Sequence, residues 1–277
     1  MAEKDAAFIS FEQKWLEANP EQSAVSIYLD PARRDKAQAF GTLIHEIAHT
    51  TFSVREPQVA AAKLGWWQQE LANAAMGNAR HPISREWYRV TATSIDNDAW
   101  DKLIGGALAQ LDAPPPANFE ALRLRLAEFY GPVAVVESAM NAESDSDALA
   151  SLWIASHLLA MFRASPSENL ALPLDLLARH GVSRADFAQA GQKTSAVLRE
   201  FLARVREMIA HNLPRVPASH VGRRVRARLD MRLIDGAIRA HDPAAYLATR
   251  YHRIRWRSTW LAWREARAAQ KHRLSTR

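Results

Sequence analysis

Five consecutive residues, His45, Glu46, Ile47, Ala48 and His49, spell H-E-x-x-H. On a helix that spacing sets two imidazoles one turn apart on a single face, beside a glutamate able to activate a zinc-bound water, the arrangement of a zinc hydrolase. Such a site needs a third protein ligand. Glu70, 21 residues after His49, stands at a usable distance, and Glu56 is a second candidate. A structural or incidental metal on His45 and His49 is the plainer form of the same reading. Cysteine is absent, which removes thiolate zinc sites, disulfides and cysteine nucleophiles together and fits a reducing compartment.

A second chemically distinctive stretch is the C-terminal fifth. Residues 223–277 hold 15 Lys/Arg against four Asp/Glu, so the formal net charge of +6 originates there. The same stretch carries Tyr246, Tyr251, Trp256, Trp260 and Trp263, and the tryptophan spacings of four and three place these indoles on one face of a helix. Tryptophan beside arginine suits an anionic membrane surface. The competing reading packs the tryptophans into the core and leaves the arginines in solvent. No nucleic-acid motif accompanies the arginines, and no nucleic-acid partner is expected. Trp66 and Trp67 invite a cofactor or cation–π role, against a plain scaffold role. His157, His180 and His211 read as surface or satisfied core histidines.

The elements that must position these groups are helical. Phe40, Leu43, Ile44, Ile47 and Thr51 follow helical spacing, and Leu122, Leu124, Leu126, Phe129 and Val133 do so more loosely. Prolines at 57, 82, 114–116, 166, 173, 214 and 217 break the chain into helices of ordinary length, and strand-like alternation is rare. An all-α bundle follows. Asn141 to Asp147 forms an acidic turn whose Asp145 and Asp147 would cap and complement the helix beginning near Ala148. With 277 residues and 48% apolar content the chain can bury one large core. The stretch from Leu149 to Phe162 is too short to span a bilayer and reads as a buried core helix. The amino terminus lacks the basic-then-apolar pattern of a secretory signal.

Order and spacing over nearly the whole chain resemble the squalene/phytoene synthase family. Pro31, Arg33 and Arg34 match P-x-R-R. Leu64, Trp66, Trp67, Glu70 and Leu71 match L-x-W-W-x-x-E-L, and His81-Pro82 follows. Between these blocks the family carries R-E-I-D-D-x-x-D. Here His45 stands for the arginine, Glu46 and Ile47 match, and Ala48, His49 and Phe52 replace the three aspartates. In the second motif, L-R-D-x-x-x-D, Phe162 and Arg163 stand for the L-R pair, Ala164 for the first aspartate and Glu168 for the second. Leu172-Pro173-Leu174-Asp175 follows as L-P-x-D.

The resemblance implies a single domain over 1–277 with the isoprenoid-synthase architecture. That is an all-α bundle around a central apolar cavity, its mouth bounded by residues 45–52 and 163–168, followed by the basic aromatic segment at about 223–277. It also implies head-to-head condensation of prenyl diphosphates, with magnesium bridging pyrophosphate to aspartates on two helices. Hard cations want oxygen donors, and alanine, imidazole and phenyl are not that. The expectation is therefore a relative without standard condensing activity and with no cofactor, acting as a lipid-binding protein or as a counterpart of the family's respiratory complex I assembly factors. Its pocket candidates are His45, His49, Arg163 and Glu168. The alternative is an active squalene- or phytoene-forming prenyltransferase using magnesium at a reduced site. A zinc hydrolase through His45, His49 and Glu70 is the third reading. Expected partners are a prenyl diphosphate or other lipid, a protein and an anionic membrane contacted through Trp256, Trp260 and Trp263. The expected place is the cytoplasm or, peripherally, the inner face of its membrane.

Overall fold

The computed structural model describes residues 5–91, 97–141, 145–163, 171–188, 191–250 and 256–275. These form 13 α-helices and three short 3₁₀ turns, with no strand among the described residues. The helices are α1 (Ala6–Ala18), α2 (Glu21–Ser26), α3 (Pro31–Ser53), α4 (Pro57–Ala75), α5 (Pro82–Val90), α6 (Asn97–Leu111) and α7 (Phe119–Met140). They continue with α8 (Ser146–Ala160), α9 (Leu174–His180), α10 (Gln192–Asn212), α11 (Val221–Arg239), α12 (Pro243–Arg250) and α13 (Trp256–Ser275). The described chain groups into two compact units, one of Met1–Ala113 with Glu128–Ala142, the other of Pro114–Ala127 with Glu143–Arg277.

In the first unit α3 lies among α1, α4, α5 and α6. Its start is written locally. Asp30 is extended, its carboxylate accepts the Arg33 N–H at 3.0 Å, and Pro31 supplies the preset φ of a first helical residue. Phe40, Leu43, Ile44 and Ile47 then fall on the buried side, each no more than 4% exposed. The helices approach closely where side chains are missing. A Cβ on Gly106 of α6 would overlap the Glu128 carbonyl of α7, and one on Gly41 of α3 would overlap the Trp15 ring of α1.

In the second unit α10 packs on α8 and α11, and α11 also carries α12 and α13. The apolar stretch foreseen as a core helix is α8, with Leu149, Leu152, Ile154, Leu158 and Leu159 buried. Asp145 caps it through the Ala148 N–H at 3.0 Å, and Asp147 sits in its first turn. Leu172, fully buried, precedes α9, whose Leu174 and Asp175 N–H groups bond the carbonyls of Pro116 and Ala117 at 2.9 Å each. The L-P-x-D run is thereby tied to the proline loop. Of the looser helical pattern in α7, Leu122, Leu126, Phe129 and Val133 are buried, while Leu124 is 54% exposed.

Candidate functional site

His45 and His49 lie one turn apart on α3, as H-E-x-x-H requires. His45 is half-buried and His49 exposed, whereas Thr50 and Thr51, on the inner side, are buried and bond back to the carbonyls of Glu46 and Ile47 at 3.0 and 2.8 Å. Ala48 offers no donor. Phe52 turns to the aromatic side chains of α7, with its ring edge-on to Phe129 at 5.4 Å and stacked on Tyr130 at 6.2 Å. Phe52 thus belongs to an aromatic cluster whose other members are buried.

Glu70 is committed elsewhere. It is 3% exposed and caps the start of α5, accepting the Arg80 and His81 N–H groups at 2.8 Å each and the Ser84 hydroxyl. Burial alone would raise its pKa. The His81 N–H, the Ser84 hydroxyl and the Arg80 N–H outweigh that and hold the carboxyl below its ordinary range. His81 is pushed down in turn, chiefly by burial, with Glu70 opposing and Arg85 adding to the effect. Its Nδ1 accepts the Ile83 N–H at 3.3 Å, so the neutral ring carries its hydrogen on Nε2. Around it stand Phe11, Trp66 and Trp67, at centroid distances of 5.1, 5.5 and 5.0 Å. Trp67 is buried while Trp66 remains 46% exposed. The W-W-x-x-E-L and H-P residues are therefore one structural joint between α4 and α5. Glu56 is exposed and makes no side-chain cap at α4. Among the described residues no three His, Cys, Asp or Glu side chains converge.

Of the second motif, Ala164 and Glu168 lie outside the described residues. So does the side chain of Arg163, whose backbone closes the 3₁₀ turn Met161–Arg163 after α8. Phe162 packs on Phe201 at 6.5 Å.

What sequence reasoning missed is a polar seam between α8 and α11. Asp230, 1% exposed, is paired with Arg226 at 2.8 Å and accepts the Ser156 hydroxyl at 2.7 Å. Beside it the Arg223 guanidinium lies 3.4 Å from the centre of the Trp153 ring. The half-buried His157 is pushed down to about 4 by burial and by Arg125, so it is neutral near pH 7. Only the spacing R-x-x-x-D in a predominantly basic helix hinted at the buried pair. Asp230 is a carboxylate at the right depth to interest a metal, yet both its oxygens are engaged.

On α13, Trp260 and Trp263 are 46% and 40% exposed, while Leu261, Ala262, Ala266 and Ala269 are buried. The reading that packs these tryptophans inward is overturned for both. The Trp256 side chain lies outside the described residues. Glu265 sets this orientation. It is 3% exposed and is gripped by Arg224 of α11 at 2.8 Å and Arg228 at 2.6 Å.

No described helix is long and apolar enough to cross a membrane. A family model described as squalene/phytoene synthase matches residues 19–263. The solved structure of a dehydrosqualene synthase in complex with ligand superposes with a TM-score of 0.69 at 13% identity, covering 96% of this chain and 97% of that one. Squalene synthase HpnC from Alicyclobacillus acidocaldarius superposes at 0.57 with 15% identity, covering 91% and 96%. At these identities the likeness carries the fold alone. No curated relative matches the chain in sequence.

Proposed function

Because the chain belongs to the squalene/phytoene synthase family, we propose that it is a lipid-binding member that no longer condenses prenyl diphosphates. The observation that carries this reading is the state of α3, where Ala48, an exposed His49 and a Phe52 packed on Phe129 and Tyr130 stand at the three aspartate positions. Condensation begins by breaking a carbon–oxygen bond, and the departing pyrophosphate must be neutralised as it forms. Magnesium held by carboxylates supplies that neutralisation in the family. The residues present on α3 do not fit that ion. A methyl and a phenyl have no lone pair to offer, and imidazole is a poor donor to a hard cation. Cooperating catalytic groups fail together, so the loss of several is not a graded weakening. The zinc reading through His45 and His49 has no third protein ligand among the described residues, since Glu70 is bound up in the α5 cap.

Incubating the purified chain with farnesyl or geranylgeranyl diphosphate and magnesium is expected to yield neither squalene nor phytoene. Robust formation of either overturns the proposal. Native mass spectrometry of protein purified from cells tests the lipid half of the reading. A retained isoprenoid or other lipid adduct is expected, and a chain consistently free of one counts against it.

A further inference from the structure

We propose that the outward face of α13 docks on an anionic phospholipid bilayer. The buried ion cluster around Glu265 fixes the rotation of α13, and with it what the helix shows to solvent. At about 100° per residue, Trp260, Trp263, Arg264, Arg267 and Lys271 fall within about 60° of the direction opposite the buried row of Ser258, Leu261, Ala262, Glu265, Ala266 and Ala269. The coordinates agree: Trp260, Trp263, Arg267 and Lys271 are exposed, and the buried row is closed.

The chemistry of that face is consistent along its length. The Arg264 guanidinium lies 5.0 Å from the centre of the Trp260 ring, and Arg267 lies 5.1 Å from that of Trp263, so each indole is presented beside its own cation. Between Trp256 and Ser275 the one acidic residue is Glu265, and it is buried and paired with Arg224 and Arg228, with Arg264 reaching it at 3.5 Å. Every charge the helix turns outward is therefore positive. Indoles settle at headgroup depth with the polar edge wet, and arginine and lysine reach lipid phosphates from the same level. A nucleic acid would use the cations but has little use for two indoles on a convex helix, because bases stack in grooves that follow the strand. A bilayer uses both.

The inference does not depend on the loss of condensation. Squalene formation would overturn the preceding reading and leave this one standing. The full chain is sedimented with vesicles of phosphatidylcholine alone and with vesicles containing about one-third phosphatidylglycerol. Binding is expected on the anionic vesicles and only background on the neutral ones. The double variant Trp260→Ala/Trp263→Ala is expected to bind the anionic vesicles at least roughly tenfold more weakly, and Arg264→Gln/Arg267→Gln to lose a similar factor. Trp260, Trp263 and Arg267 are exposed and Arg264 is half-buried, its guanidinium 3.5 Å from Glu265, so the melting temperature of each variant serves as the folding control. Should one pair fail to fold, the other decides. Three results overturn the proposal: no binding of the parent chain to anionic vesicles, binding undiminished by the tryptophan substitutions, or tighter binding to a single-stranded RNA than to those vesicles.

Discussion

Glu70 carries more of the local architecture than any histidine of the H-E-x-x-H run. One carboxylate satisfies two backbone N–H groups that no helix bond could reach and a buried serine hydroxyl, at the turn where α4 hands over to α5. Bonds to a charged acceptor are the stronger kind, and removing that acceptor strands two part-buried N–H groups and a buried hydroxyl at once. Glu70→Ala should lower unfolding stability by about 3 kcal/mol, measured by urea titration. Its bound zinc content should not differ from that of the parent. A nearly neutral substitution, or zinc bound by the parent and lost in the variant, would return Glu70 to the list of metal ligands. Phe52 makes the complementary point. Its ring joins Phe129 and Tyr130, so the side chain has a packing role of its own.

Among the elements, α13 has the most consequential orientation. Its inner side is small, with Ala262, Ala266 and Ala269 buried, so apolar area alone would hold it weakly against α11. Glu265 supplies the rest by meeting Arg224 and Arg228, while Arg224 also donates to the Leu213 and Val216 carbonyls at 3.2 and 2.6 Å. Breaking such a buried pair from one side costs on the order of 3 kcal/mol, because the stranded guanidinium groups lose their counter-charge. Glu265→Ala should therefore speed amide exchange across residues 256–275 while α8 and α10 keep their protection. Exchange unchanged in that helix would show that packing, not Glu265, sets its position.

Across the whole molecule, acid should be the destabilising condition, and in both units. In the first, His81 has its pKa below the ordinary 6.5 mainly through burial, and in the second His157 is pushed to about 4. Below pH 6.5 the unfolded chain takes up protons that these folded imidazoles refuse, so stability falls with pH until the folded pKa is passed. Glu70 and Glu265 act in the same direction lower down. Both are held below the ordinary 4.5 although burial opposes it, the first by its N–H and hydroxyl donors, the second by Arg224 and Arg228. Their contribution is present above pH 4.5 and is lost as pH falls through the folded values. The melting temperature should be flat above about pH 7 and decline steadily from pH 6.5 to 4. His157→Gln should flatten the second unit's share of that decline, and a melting temperature independent of pH over this range would contradict the assignment. The charge surplus of the C-terminal fifth adds self-repulsion in acid, as carboxylates elsewhere are neutralised.

Much of the fold was legible because its cues are local. Helical spacing, prolines at helix starts and the cap at Asp145 involve residues within four of one another, and helices begin where those cues sit, as α8 does after Asp145. The residue types at Ala48, His49 and Phe52 are likewise read directly from the sequence, and the proposal that they hold no magnesium rests on those types alone. Trp66 and Trp67 read as scaffold, and the contacts with His81 explain why, although the exposure of Trp66 was not foreseeable. What sequence could not decide was which way each helix faces and which charges find one another. Arg224 and Glu265 are 41 residues apart, and Ser156 and Asp230 are 74 apart. Tryptophans spaced four and three apart mark a face on any helix, inward or outward alike. Only the long-range pairing of Glu265 turned that face to solvent, because a buried charge must meet its partners and the rest of the helix follows its rotation.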